Sequence, residues 1–84
     1  VEGDLQQRLG RNLRARRLAR GLSQEGFADL LGVHRTYMGG LERGERNVTL
    51  RTVERLAQRL DVPADELLRP DGSAVRPGGR RSRR

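Results

Sequence analysis

The chain has 84 residues, 33% hydrophobic and 35% charged, with a formal net charge of +7. That length suits one compact domain with a small core. The absence of cysteine excludes disulfides and thiolate metal sites, and no apolar run is long enough to span a bilayer. Nothing resembles a signal peptide, so the expectation is a soluble, cytoplasmic protein. Leu, Ala, Arg, Glu and Gln dominate over Val, Ile and Thr, which favours helices over strands.

The helical pattern can be followed in chain order. Residues 1–4 carry no pattern and read as a frayed start. From residue 5 to 20 the apolar positions Leu5, Leu9, Leu13 and Leu18 recur about once per turn, and Gly10 weakens the first turns. Gly21 supplies a stop, with Leu22 folding back beyond it. Ser23 is placed to cap a second helix, in which Glu25 suits the positive end and Phe27, Leu30 and Leu31 make a buried face. Gly32 ends that helix, and His34 sits at or near the cap of a third. Met38 and Leu41 share one face of the third helix, Tyr37 lies beside them, and Gly44 closes it. A loop over 45–48 leads to Thr49, which caps a fourth helix with a core stripe of Leu50, Val53, Leu56, Ala57 and Leu60. Asp61 and Val62 turn the chain. Pro63 opens a short fifth helix anchored by Leu67 and Leu68. Past residue 69, Pro, Gly, Ser and Arg predominate, so residues 70–84 read as a disordered basic tail and 5–69 as the folded domain.

Every basic residue is arginine, which says more about codon composition than about function. The charge is uneven. Residues 69–84 hold six arginines against one acid, Asp71, and leave residues 1–68 with a net charge of only +2. A basic chain suits a polyanion, without saying whether that is DNA, RNA or an acidic membrane.

Residues 24–44 are the informative segment. A helix-turn-helix needs a small residue where two short helices meet, and Ala28 supplies it. It needs a turn residue tolerant of positive φ, which Gly32 supplies, and apolar residues around the turn, which Val33, Met38 and Leu41 supply. Their joint occurrence is far more specific than any one of them.

On Leu22-Ser23-Gln24-Glu25, Ala28, Leu31-Gly32-Val33, Leu41-Glu42-Arg43-Gly44 and Leu60-Asp61-Val62-Pro63 with Leu67-Leu68, the chain resembles the Cro/phage-repressor (XRE) helix-turn-helix family. Within it, the similarity is to controller-type regulators of restriction–modification systems. The resemblance implies an all-α, five-helix lambda-repressor-like domain in a bacterial regulator, acting as a homodimer on an inverted repeat of double-stranded DNA. The recognition helix would lie at about 34–43, in the major groove. The resemblance assigns base reading to His34, Arg35, Thr36 and Gly40. It assigns phosphate contacts to Ser23 and Gln24 and to Arg43, Arg46 and Asn47 after the recognition helix. It also implies a partly buried ion pair between Arg17 and Glu42, orienting the first and third helices.

Periodicity points to a similar face. If Met38 and Leu41 are inside, Arg35, Thr36, Gly39, Gly40 and Arg43 are outside. Arg35 is the best candidate for reading guanine through O6 and N7. Thr36 suits a thymine methyl or a single hydrogen bond. Gly39 and Gly40 depart from the polar pattern of the family, and three readings stay open. They bring the backbone close to the groove, they shift readout towards DNA shape, or they reflect drift at exposed positions. Tyr37 is either a phosphate ligand through its hydroxyl or a core residue with a wet tip. Val62, Leu67 and Leu68 are candidates for a dimer interface. The arginines at 80–84 suit nonspecific phosphate contact or a solvated tail.

Other classes fare worse. An antitoxin, or the DNA-binding module of a larger regulator, is the main alternative. One Phe and one Tyr argue against stacking on single-stranded RNA. No acid pair, nucleophile–base set or phosphate loop appears, so no enzyme activity and no cofactor or metal is expected. The lone His34 lacks partners for either metal binding or catalysis.

Overall fold

Helix boundaries fall where the capping residues place them. In the computed structural model, which describes residues 3–70, α1 spans Asp4–Ala19, α2 Gln24–Leu31, α3 Arg35–Glu42 and α4 Leu50–Leu60. Ser23 Oγ accepts from the Gly26 amide at 3.0 Å, His34 Nδ1 from Thr36 at 3.3 Å and Thr49 Oγ1 from Thr52 at 3.0 Å. Each bond satisfies one of the orphan amides of a first turn. The stops share one design. The amides of Leu22, Val33, Glu45 and Val62 reach back to the carbonyls of Arg17, Ala28, Gly40 and Ala57. The residues that reverse the chain there are Gly21, Gly32, Gly44 and Asp61. Asp61, at φ 59°, does so with a side chain, which a short polar residue tolerates.

The expected fifth α-helix is a 3-10 helix, Ala64–Leu68. Five residues give little room for i to i−4 bonds, and short pieces adopt the tighter helix readily. The fold is thus all-helical, with four α-helices, this 3-10 turn and no strand among the described residues. Of the expected tail, residues 71–84 lie outside the described residues, as do residues 1 and 2 of the expected frayed start. α1 begins at Asp4, one residue earlier than expected.

The core is built from Leu9 and Leu13 of α1, Phe27, Ala28 and Leu31 of α2, Met38 and Leu41 of α3, the α4 stripe and Leu67. Four leucines expected inside are not. Leu5 is 56% exposed, Leu18 55%, Leu30 38% and Leu50 77%. Leu18 follows Leu13 by five residues, which rotates it about 140° off the buried stripe. Leu5 and Leu50 occupy first turns that overhang the core. The buried stripe of α1 instead continues through Asn12 and Arg16. Both are three or four residues from the buried leucines and so face the same way. Asn12 Nδ2 donates to the carbonyls of Leu67 at 2.9 Å and Arg69 at 3.0 Å, and Arg16 Nη2 meets Glu66 Oε1 at 2.8 Å. These polar contacts dock the 3-10 helix on α1, although Asn12 Oδ1 and Arg16 Nε stay buried without a hydrogen-bond partner among the described residues.

α1 and α3 touch through backbone. A Cβ on Gly10 would lie 2.6 Å from both the Leu41 and Glu42 carbonyl oxygens. Only glycine lets the end of α3 settle this closely on α1.

Candidate nucleic-acid interface

The orientation of α3 depends on Glu42. Arg17 Nε donates to Glu42 Oε2 at 2.7 Å, and Arg17 Nη2 donates to Oε1 at 3.1 Å. The pair is mostly buried, with side chains 13% and 3% exposed. Arg17 Nη1 also donates to the Leu22 carbonyl at 3.1 Å, and Gln24 Nε2 donates to Glu42 Oε1 at 3.1 Å. One carboxylate therefore joins α1, the start of α2 and the end of α3. A two-pronged arginine contact sets direction as well as distance.

With its inner face fixed in this way, α3 presents His34, Arg35 and Thr36 to solvent. His34 is committed to the helix cap through Nδ1. Arg35 and Thr36 begin the helix with their side chains exposed. Tyr37 is half-buried against the core, and the Arg46 guanidinium sits over its ring at 5.2 Å from the centroid. The core reading of Tyr37 fits this packing, and the outer face of its ring holds a cation.

Gly39 and Gly40 correct the sequence reading. They were expected to lie open on the outer face, yet both are buried. Their cover is arginine. A Cβ on Gly39 would lie 3.1 Å from Arg43 Nη1, and one on Gly40 would lie 2.8 Å from Arg46 Nε. Residues 35, 36, 39, 40 and 43 do share one helix face, but the guanidinium groups lie across its C-terminal half. Arg43 is exposed and pairs with Glu45 at 3.0 Å.

The expected phosphate-contacting residues flank this face. Ser23 is exposed at the N-terminus of α2, with its hydroxyl engaged in the cap. Gln24 holds Glu42 with its amide. Asn47 is exposed and accepts from Gln6 Nε2 through Oδ1, which ties the loop after α3 to α1. Of the dimer candidates, Leu67 is fully buried and is excluded from any surface. Val62 is half-buried, and Leu68 lines an open groove with Leu5, Leu9, Val48, Leu50 and Val53, about 210 Å³ in volume.

Sequence reasoning missed Gly10, Asn12, Arg16 and the Gln24–Glu42 bond. The first three carried a signal. A glycine inside a Leu/Arg-rich helix marks a close approach, and polar residues in register with buried leucines mark buried polar contacts. No signal in the sequence pointed to Gln24 reaching Glu42.

A short helix with an exposed arginine-bearing face, presented by a second helix across a left-handed turn, defines the helix-turn-helix class. The comparisons agree. The helix-turn-helix family HTH_3 matches residues 13–67. The control protein C.SmaI of Serratia marcescens is 45% identical over 69 residues, covering 82% of each chain. The restriction-modification controller protein C.AhdI from Aeromonas hydrophila has a TM-score of 0.65 at 48% identity, covering 74% of this chain and 94% of that one. The hypothetical transcription factor NHTF from Neisseria has a TM-score of 0.74 at 39% identity, covering 84% of this chain and 82% of that one. The chain belongs to the helix-turn-helix family HTH_3. It is a DNA-binding transcriptional regulator of the type that includes the restriction–modification controllers. Among the described residues no helix is long and apolar enough to cross a membrane, and no group of His, Cys, Asp or Glu is arranged to hold a metal.

Proposed function

We propose that the chain binds an inverted repeat as a homodimer, with α3 of each copy in the major groove. Arg35 reads a guanine and Thr36 an adjacent base, while His34, the N-cap, fixes the start of the helix that carries them. Ser23 and Gln24 at the N-terminus of α2, and Tyr37, Arg43, Arg46 and Asn47 at the far end, hold phosphates on either side. The observation that carries this reading is the Glu42 junction. It fixes the inner face of α3 against α1 and α2, so Arg35 and Thr36 project outward from a rigid frame.

The groove lined by Leu5, Val48, Leu50 and Leu68 supports the dimer. Leu50, 77% exposed, is a large apolar side chain left in water. The groove includes Asn47 and Val48 of the loop that follows α3. A second copy seated there would supply the dimer that an inverted repeat with half-sites roughly 34 Å apart requires. The relatives named as control and controller proteins favour a regulatory role, with restriction–modification genes as the regulated class.

Selection of bound fragments from random duplex DNA tests this. The expected product is an inverted repeat, with affinity falling steeply as salt rises. Recovery of single half-sites only would remove the dimer. No enrichment at low salt would remove the DNA-reading role of α3.

A further inference from the structure

Gly40 sits one turn beyond Thr36, on the face assigned to DNA, yet the DNA side of Gly40 is already occupied. From the position of a Cβ at residue 40, Arg46 Cγ lies at 3.1 Å, Cδ at 3.4 Å and Nε at 2.8 Å. The arginine side chain thus runs along the glycine. Its guanidinium then passes over the Tyr37 ring at 5.2 Å. Gly39 has a weaker version of the same relation, since only the tip of Arg43, Nη1, comes within 3.1 Å of its missing Cβ. That tip can give by a few tenths of an ångström. Arg46 is met along Cγ, Cδ and Nε, so a methyl group at residue 40 moves the whole side chain to a different rotamer rather than its tip alone.

We infer that Gly40 is a positioning residue: it is the seat on which Arg46 lies, and it contributes to DNA binding through that arginine rather than through backbone contact with the groove. The inference rests on α3 being the DNA-facing helix. The physical advantage is preorganisation. Arginine carries a large rotamer entropy, and ordering it before binding reduces what is lost in the complex. Arg43 shares its charge with Glu45 in an exposed pair, whereas Arg46 is held by an aromatic face with no acid paired to it among the described residues, which leaves its charge available to the DNA. An alanine at residue 40 improves helix propensity and displaces only an exposed side chain. Stability and affinity therefore move in opposite directions, which a purely structural glycine does not do.

The test is a double-mutant cycle on the full chain with Gly40→Ala, Arg46→Ala and both together. Binding is measured by fluorescence anisotropy on the duplex recovered by selection, and stability by thermal melting. Gly40→Ala is expected to weaken binding about two- to fivefold, the scale of one cation–π contact, with an equal or higher melting midpoint. In the Arg46→Ala background, Gly40→Ala should leave affinity unchanged and raise the midpoint by more than it does in the wild type. An equal loss of affinity in both backgrounds would overturn the inference in favour of backbone approach. Unchanged affinity in the wild-type background, or a lowered midpoint, would overturn it as well. If the wild-type chain bound no duplex at all, the DNA reading would fall. The melting arm would then decide the seat alone, with an equal midpoint gain in both backgrounds counting against it.

Discussion

Gly10 and Gly40 both interrupt a helix, and in sequence they look alike. In the structure their missing side chains are replaced by different things. At Gly10 the space is filled by the backbone of α3, two carbonyl oxygens that have nowhere to go. At Gly40 it is filled by the flexible stem of an exposed arginine. The first contact belongs to the seam that fixes α3 against α1, and the second to the face that α3 turns outward. A glycine covered by backbone serves stability. On the inference above, a glycine covered by a movable cation serves recognition.

Substitutions can break or sharpen that contrast. The largest effect is expected at the seam. Glu42→Ala strands Arg17, which is 13% exposed on its side chain, and should cost about 3–5 kcal/mol. Thermal melting should show a midpoint lowered by more than about 10 °C, and an unchanged midpoint would refute the joining role of Glu42. Gly10→Ala comes next. Overpacking against fixed carbonyls should cost about 1–3 kcal/mol, with the better helix propensity of alanine recovering at most about 1 kcal/mol. A denaturant titration should show the loss, whereas Gly40→Ala should show none. Equal behaviour of the two variants would erase the distinction between the regions.

On the outer face the effects should appear in binding and not in folding. Arg35→Ala should remove about 1–3 kcal/mol of discrimination at one base pair per half-site, with stability changed by less than about 0.5 kcal/mol. Competition with duplexes altered at single positions measures this. The smallest effect is expected in the basic tail. Arg80→Ala should weaken binding to all duplexes alike and reduce the slope of log affinity against log salt by about one. A sequence-dependent loss there would place part of the readout in the tail.

Much of the frame was legible because caps are local. Ser23, His34 and Thr49 mark the helix starts through their own side chains, and Gly21, Gly32 and Gly44 mark the stops. The periodic core of α4 and the Ala28/Gly32 clasp are equally local patterns. What escaped depends on distant partners. The register of Asn12 with the buried leucines marks it as buried, but its partners are carbonyls 55 and 57 residues away, which no local pattern names. Leu5 and Leu50 have the right spacing for a core stripe but lie beyond its ends, so periodicity alone placed them inside. The site shows the same division. The face of α3 followed from its period, while the cover over Gly39 and Gly40 came from arginines whose paths no spacing rule describes.

The most direct measurement is the selection from random duplex DNA repeated side by side with the wild-type chain and with Arg35→Ala. If α3 reads bases through its exposed first turn, both proteins recover the same inverted repeat, and the variant loses preference at one position in each half. If the two recovered motifs are identical, Arg35 does not read DNA and the assignment of this face is wrong.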